Sequence, residues 1–248
     1  MRTLRLTLAY DGTRYAGWQR QRGSTRRTIQ GTLEQALRRI LGERVSVVGS
    51  GRTDAGAHAL AQVAHARVRS RMPAQRLRLA LNHHLPPDIA VLDAADAPPS
   101  FHAQYGATRK TYRYRIFTSE VVPPFIRPYV HHVRVPLRVA LMRREAAALR
   151  GRHDFRAFAR SAGAARASTV RTISTIRLRR SGPELRLDVE GNGFLHAMVR
   201  SLAGTLLDIG RGRLSPGRIR RMLRTGDRSL AGTTAPAKGL ALVSVDYR

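Results

Sequence analysis

Residues 173–191, ISTIRLRRSGPELRLDVEG, decide the fold class. Apolar and polar residues alternate on either side of Ser181-Gly182-Pro183, the pattern of two short strands joined by a tight turn. A hairpin is antiparallel by construction, and hairpins mixed with helices point to α+β with a largely antiparallel sheet. Beyond the hairpin, FLHAMVRSLAGTLLDIG (194–210) reads as an apolar helix and KGLALVSVDY (238–247) as a closing strand. In that helix Leu195, Met198, Val199, Leu202 and Leu206 form a stripe, with His196 and Arg200 off it. Before the hairpin, PLRVALMRREAAALRG (136–151) reads as a helix. KTYRYRIF (110–117) is a sharply alternating strand with Tyr112, Tyr114 and Ile116 on one face.

The first half uses the same kinds of element. RTLRLTLAYDGT (2–13) is a strand with Leu4, Leu6 and Leu8 on one face and a turn at Asp11-Gly12. TIQGTLEQALRRIL (28–41) places apolar residues at helical spacing, and Gly42 is a natural stop. VSVVGS (45–50), LAQVAHARV (60–68) and IAVLDA (89–94) read as strands, and MPAQRLRLALNHHL (72–85) as a second helix. The proline-rich AADAPPS (94–100) sets a boundary near residues 95–108, giving an N-terminal domain over 1–103 and a C-terminal domain over 104–248.

With 248 residues, 42% of them hydrophobic, the chain has enough apolar surface for a real core. No run is long enough to span a bilayer, and the N-terminus lacks the pattern of a signal peptide. There is no cysteine, hence no disulfide framework and no thiolate zinc site. The expected compartment is the cytoplasm. Charge is the strongest signal: 45 basic residues against 16 acidic, a formal +29. Such an excess favours a polyanionic partner. A membrane binder would gather the charge on one amphipathic helix; here it recurs along the whole length, which suits a nucleic acid. All but Lys110 and Lys238 of the basic residues are arginine, a bias that base composition alone can produce.

Several chemistries are disfavoured. The pairs His83-His84 and His131-His132 diverge on a helix or strand and make no chelate alone. No zinc-protease motif, dinucleotide or Walker loop, or seryl elbow occurs, so no metal and no cofactor are expected. What remains is GSGRTDAGAHA (49–59), a glycine-rich loop with one carboxylate, Asp54. An aspartate in a D-A-G turn is most simply a turn residue that accepts backbone hydrogen bonds. Three features favour a reactive group instead. The glycines allow close approach of a bulky partner, Arg52 projects to the same side in an extended segment, and a strand gives the loop a rigid base. A charged carboxylate on such a base is a usable nucleophile. From the residues alone, Arg52 reads equally as a solvated charge or phosphate contact, and Tyr112 as a core aromatic.

The chain resembles the TruA family of tRNA pseudouridine synthases from end to end. The resemblance is carried by YDGTRYAGWQRQ (10–21), GSGRTDAGAHA (49–59), FHAQYGATRKTYRY (101–114), GRHDFRAF (151–158), GNGFLHAMVRSLAGTLLDIGRG (191–212) and APAKGLALVSVDY (235–247). It implies a two-domain α+β pseudouridine synthase fold, with a largely antiparallel sheet flanked by helices and a basic cleft between the halves. It also implies a cofactor-free isomerase acting on uridines 38, 39 and 40 in the anticodon stem-loop of tRNA, working as a homodimer. Asp54 then falls on the catalytic aspartate, Arg52 on the arginine linked to base flipping, and Tyr112 on the tyrosine that packs against the base. Phe101, His102, Ala103, Gln104 and Tyr105 are tRNA-contact candidates. Two departures stand out: Gln104 where the family usually has arginine, and Ala57 where valine is common. The alternatives are a synthase for another RNA site, or a non-catalytic RNA-binding or chaperone protein on the same scaffold.

Overall fold

A computed structural model describes residues 1–21, 23–160 and 168–248. In chain order the elements are β1 (Arg2–Tyr10), α1 (Ile29–Leu41), β2 (Val47–Gly49), β3 (His58–Val68), α2 (Ala74–His84), β4 (Ile89–Ala97) and β5 (Ala107–Phe117). These are followed by β6 (His131–His132), α3 (Val139–Ala147), β7 (Gly151–Asp154), β8 (Val170–Ser181), β9 (Glu184–Gly191), α4 (Met198–Gly210), α5 (Arg218–Thr225) and β10 (Leu240–Tyr247). The chain forms two compact units, Met1–Thr108 with Ala241–Arg248, and Arg109–Leu240.

In the first unit the strands lie in the order β4-β1-β3-β10, with β2 on β3. All of these pairs are antiparallel except β10 on β3. The alternation of β1 does what period two requires: Leu4, Leu6 and Leu8 are completely buried on one face. Two amphipathic helices belong to this core. The first is capped by Thr28, whose Oγ1 accepts the Gly31 amide at 3.2 Å, and it buries Ile29, Leu33, Ala36 and Leu37. The second buries Leu77 and Leu81. Each such leucine contributes about 1.5–3 kcal/mol of hydrophobic stabilisation.

In the second unit the order is β5-β9-β8-β7, antiparallel throughout, with β6 parallel to β5. Ser181 pairs with Glu184, so the hairpin turns on two residues, Gly182-Pro183, with Gly182 at φ +54°. One face of β5 and β9 is apolar and buried: Tyr112, Tyr114 and Ile116 beside Leu185, Leu187 and Val189. The other face is an ion-pair ladder. Arg113 grips Asp188 through two hydrogen bonds of 2.7 and 3.2 Å, and Glu184 accepts from both Arg115 and Arg186 at 2.7 and 2.9 Å.

The apolar helix departs from expectation in two ways. It begins at Met198, because Ala197 has a left-handed φ of +57° and Met198 N–H closes a turn on Leu195 O at 3.1 Å. Nor is it a stripe: α4 is buried almost all round. Segment 232–235 covers its polar side, where Thr205 Oγ1 accepts Gly232 N–H at 3.1 Å and Asp208 accepts Thr233 N–H at 2.9 Å. Periodicity sees only the apolar residues, so a face buried through hydrogen bonds looks exposed.

The Arg115 and Arg186 guanidinium groups draw the Glu184 carboxyl down from 4.5 to about 2, Arg115 contributing most. A depressed folded-state pKa means stabilisation that is complete above 4.5 and lost as pH falls towards 2. The stability difference between wild type and Glu184→Gln, measured by urea unfolding, is expected to be constant above about pH 5 and to shrink steadily below it. A difference independent of pH would exclude this linkage.

Candidate active site

The loop carrying Asp54 spans residues 50–57, between β2 and β3. Its base is held by buried hydrogen bonds. Ser50 donates its amide to Val63 O at 2.7 Å and its hydroxyl to Gln62 Oε1 at 2.6 Å. Gln62, fully buried, donates in turn to Gly51 O at 2.9 Å. Thr53 Oγ1 lies 2.9 Å from the Tyr10 hydroxyl, whose pKa burial pushes up to about 12. Tyr10 therefore remains a neutral hydrogen-bonding group across the physiological range.

Residues 15–18 lie against this loop. Trp18 N–H donates to Thr53 O at 3.1 Å and Gly56 N–H to Tyr15 O at 3.3 Å. The Trp18 indole rests on Gly49, where an added Cβ would stand 2.5 Å from the ring. Gly17 has φ +94°, and a Cβ there would meet Thr53 O at 2.6 Å, so both conformation and space demand glycine. Tyr15 is buried and donates to Asp88, which is also ion-paired to Arg14 at 3.1 Å. Burial and that carboxylate hold the Tyr15 phenol above its ordinary pKa.

Within the loop, burial alternates. Thr53 is buried, whereas Arg52 is exposed and Asp54 partly exposed. The threonine is thus turned inward and Arg52 outward, with Asp54 partly accessible beside them. Asp54 O then accepts Ala57 N–H at 3.1 Å, closing a β-turn whose third residue, Gly56, has φ +76°. A type II turn reserves that conformation for glycine.

Residues 101–105 form a second loop in the same unit. His65, buried on β3, accepts Ala103 N–H through Nδ1 at 3.1 Å. Burial, then His102 and Arg67, lower its pKa, which keeps the acceptor nitrogen unprotonated. His102 Nδ1 accepts the amides of Gln104 and Tyr105 at 3.2 and 3.1 Å. Its ring stacks on Tyr105 with centroids 4.4 Å apart, and Tyr105 is 81% exposed. Phe101 packs on Tyr247 at 5.0 Å, and the Tyr247 hydroxyl donates to Ala103 O at 2.7 Å.

Tyr112 belongs to the second unit, buried on β5 with its ring edge-on to Phe194 at 5.0 Å. Lys110, two residues earlier on that strand face, has its ammonium pKa lowered to about 8 by burial and by Arg171. Among the described residues no group of three His, Asp or Glu side chains is placed to hold a metal. Reading the sequence passed over Trp18, Gln62 and His65 as parts of the site's support. For the last two a signal existed, since each is a polar residue inside the apolar run LAQVAHARV, where burial demands a partner.

A family model described as tRNA pseudouridine synthase matches residues 7–106 and 146–248. The chain is 47% identical to tRNA pseudouridine synthase A of Moorella thermoacetica over 247 residues, covering 100% of both proteins. The chain belongs to the tRNA pseudouridine synthase family. Identity to the same-named protein of Halalkalibacterium halodurans is 46% over 241 residues, covering 97% of this chain and 90% of that one. A chain solved in a Cbf5–Nop10–Gar1 complex overlaps 96% of this chain and 57% of its own length, but at 12% identity and a TM-score of 0.36 that likeness carries no argument. The Asp54 loop and residues 101–105 both fall inside the family match. Tyr112 lies in the interval between its two stretches, although the full-length relatives run through it.

In this synthase family member Gln104 is exposed, and Ala57 is buried beneath the loop with its amide on Asp54 O. The seat of Trp18 gives a direct test. Gly49→Ala is expected to destabilise the protein by about 1–3 kcal/mol through overpacking against the indole. Denaturant titration followed by Trp18 fluorescence measures it, and a loss below about 0.5 kcal/mol would mean that the ring yields freely.

Proposed function

We propose that this chain converts uridine to pseudouridine in tRNA, with Asp54 as nucleophile, at positions 38, 39 and 40 of the anticodon stem-loop. The observation that carries the reading is the Arg52-Thr53-Asp54 run, anchored by its threonine with Arg52 exposed and Asp54 partly accessible, in a chain whose family match spans its full length.

The chemistry asks for what these residues offer. A stacked uridine must leave the helix before its glycosidic bond is reached. Arg52 enters the vacated space and pairs with phosphate, while an aromatic ring, Tyr112, supports the expelled base. The N1–C1′ bond breaks, the uracil turns, and C5 bonds to C1′; the proton lost from C5 is matched by one gained at N1. Atoms and charge balance, so the isomerisation consumes no nucleotide and no redox partner. Attack of the aspartate on the ring and attack on the sugar carbon both require its carboxylate in anionic form. Residues 101–105 contact the tRNA backbone or a base, Tyr105 offering an exposed ring already stacked on His102. The reading extends to a basic cleft between a 1–103 and a 104–248 domain, in a cytoplasmic homodimer.

With purified protein and unmodified tRNA, pseudouridine mapped chemically should appear at those three positions. Asp54→Asn is expected to abolish product while leaving the tRNA Kd within a few-fold; equal product from both proteins would refute the nucleophile. Arg52→Ala is expected to lower kcat by at least about 100-fold with folding intact, since flipping precedes all chemistry. Near-normal turnover would remove its role.

A further inference from the structure

The open margin of β8 carries charge that the proposed reaction leaves unused. β7 pairs only with residues 170–173, so among the described residues Thr175–Ser181 has a strand neighbour, β9, on one side only. Arg143 of α3 donates its Nε to Leu178 O at 2.9 Å, which shows that Leu178 turns its peptide groups away from β9. Peptide direction alternates along an antiparallel strand, so Ile176 and Arg180 turn theirs to the same margin. A groove of about 570 Å³ lies there, lined by Arg143, Ala146 and Ala147 of α3 and by residues 176–180.

Four of those lining residues are arginines: Arg143, Arg177, Arg179 and Arg180. Among the described residues their side-chain hydrogen bonds are to carbonyls, from Arg143 to Leu178 O and from Arg180 to Gly182 O. The nearby acids are committed elsewhere. Asp188, which pairs with Arg177 in the strand register, is held by Arg113, and Glu184 is held by Arg115 and Arg186. Arg180 also borders a second cavity of about 240 Å³ together with Arg134, which extends the positive surface. Clustered guanidinium groups without counter-charges repel one another and are relieved by an anion with several charges in a row. Another β-strand is a poor occupant, because arginines on a strand margin discourage edge pairing.

We propose that this groove binds the phosphodiester backbone of the tRNA, as a contact surface separate from the reacting uridine. On the sheet it is two strands from β5, about 10 Å, and Tyr112 does not line it. The edge amides and the four guanidiniums together form the anion-binding surface, with phosphate oxygens as acceptors. The identity of the RNA as tRNA rests on the function proposed above.

The test uses fluorescence anisotropy with labelled, unmodified tRNA over a range of KCl concentrations. Arg177→Ala/Arg179→Ala removes two cations that make no side-chain hydrogen bond among the described residues. At about 0.1 M salt its Kd should rise roughly 10- to 50-fold, and the slope of log K against log salt should flatten by about 1.4–1.8. Arg177→Lys/Arg179→Lys, which keeps charge and bulk, should stay within a few-fold of wild type and confirms that the loss is electrostatic. At saturating tRNA the alanine pair should retain the wild-type kcat, the cost falling on KM. Unchanged Kd and slope in the alanine pair would overturn the proposal. So would competition by polyglutamate as effective, charge for charge, as RNA, which would assign the groove to an acidic polypeptide. If wild type binds tRNA with the predicted sensitivity to these arginines yet forms no pseudouridine, the groove stands and the enzymatic reading falls.

Discussion

The seating of Trp18 on Gly49 is the contact on which the geometry of the candidate site depends. A flat indole, 2% exposed, reaches the end of β2 only because the residue beneath it has no side chain. Once seated, its amide takes Thr53 O, and Tyr10 takes the Thr53 hydroxyl. Thr53 is thus bound from both its backbone and its side chain. The residues on either side of it, Arg52 and Asp54, are thereby held on an anchored backbone. A loop of glycine, alanine and arginine would otherwise sample many conformations, and ordering it costs on the order of 1–2 kcal/mol per residue. The supporting bonds offset that cost locally.

The same economy appears in the second loop. Residues 101–105 carry little that could form a core, but His65 and Tyr247 bind the backbone at Ala103 from two sides. His65 does this as an acceptor, which requires an unprotonated nitrogen, and its buried position supplies that state. The exposed part of the loop, Tyr105 on His102, is then presented as a stacked pair instead of a mobile side chain. Rigid support under exposed aromatic and charged groups is what a nucleic-acid surface needs, because each immobilised side chain has already lost its entropy before binding.

Charge is distributed with similar selectivity. A chain at +29 has too few acids to neutralise its arginines. Those acids are concentrated where arginines crowd on a sheet face: Asp188 and Glu184 tie down Arg113, Arg115 and Arg186. Among the described residues no acid is ion-paired to the arginines on the margin of β8, Asp188 opposite Arg177 being held by Arg113. Composition alone treats all these arginines alike, and pairing separates those that hold the sheet from those available to a polyanion.

The kinds of element, the antiparallel hairpin at 173–191, the buried faces of β1 and β5, the family resemblance and the Asp54 loop are all legible in the linear chain. These are legible because side-chain periodicity is a local property of the chain, and the motifs that carry the resemblance are contiguous. Only the tertiary structure decided that the YDGTRYAGWQ segment supports the Asp54 loop, that β10 joins the first unit, and that α4 is covered on its polar side as well. It likewise picked out Gln62 and His65 as supports, and Arg177 and Arg179 as lacking an ion pair among the described residues. Each of these is a pairing between residues far apart in the chain, made by hydrogen bonds and close approach that leave no period to read.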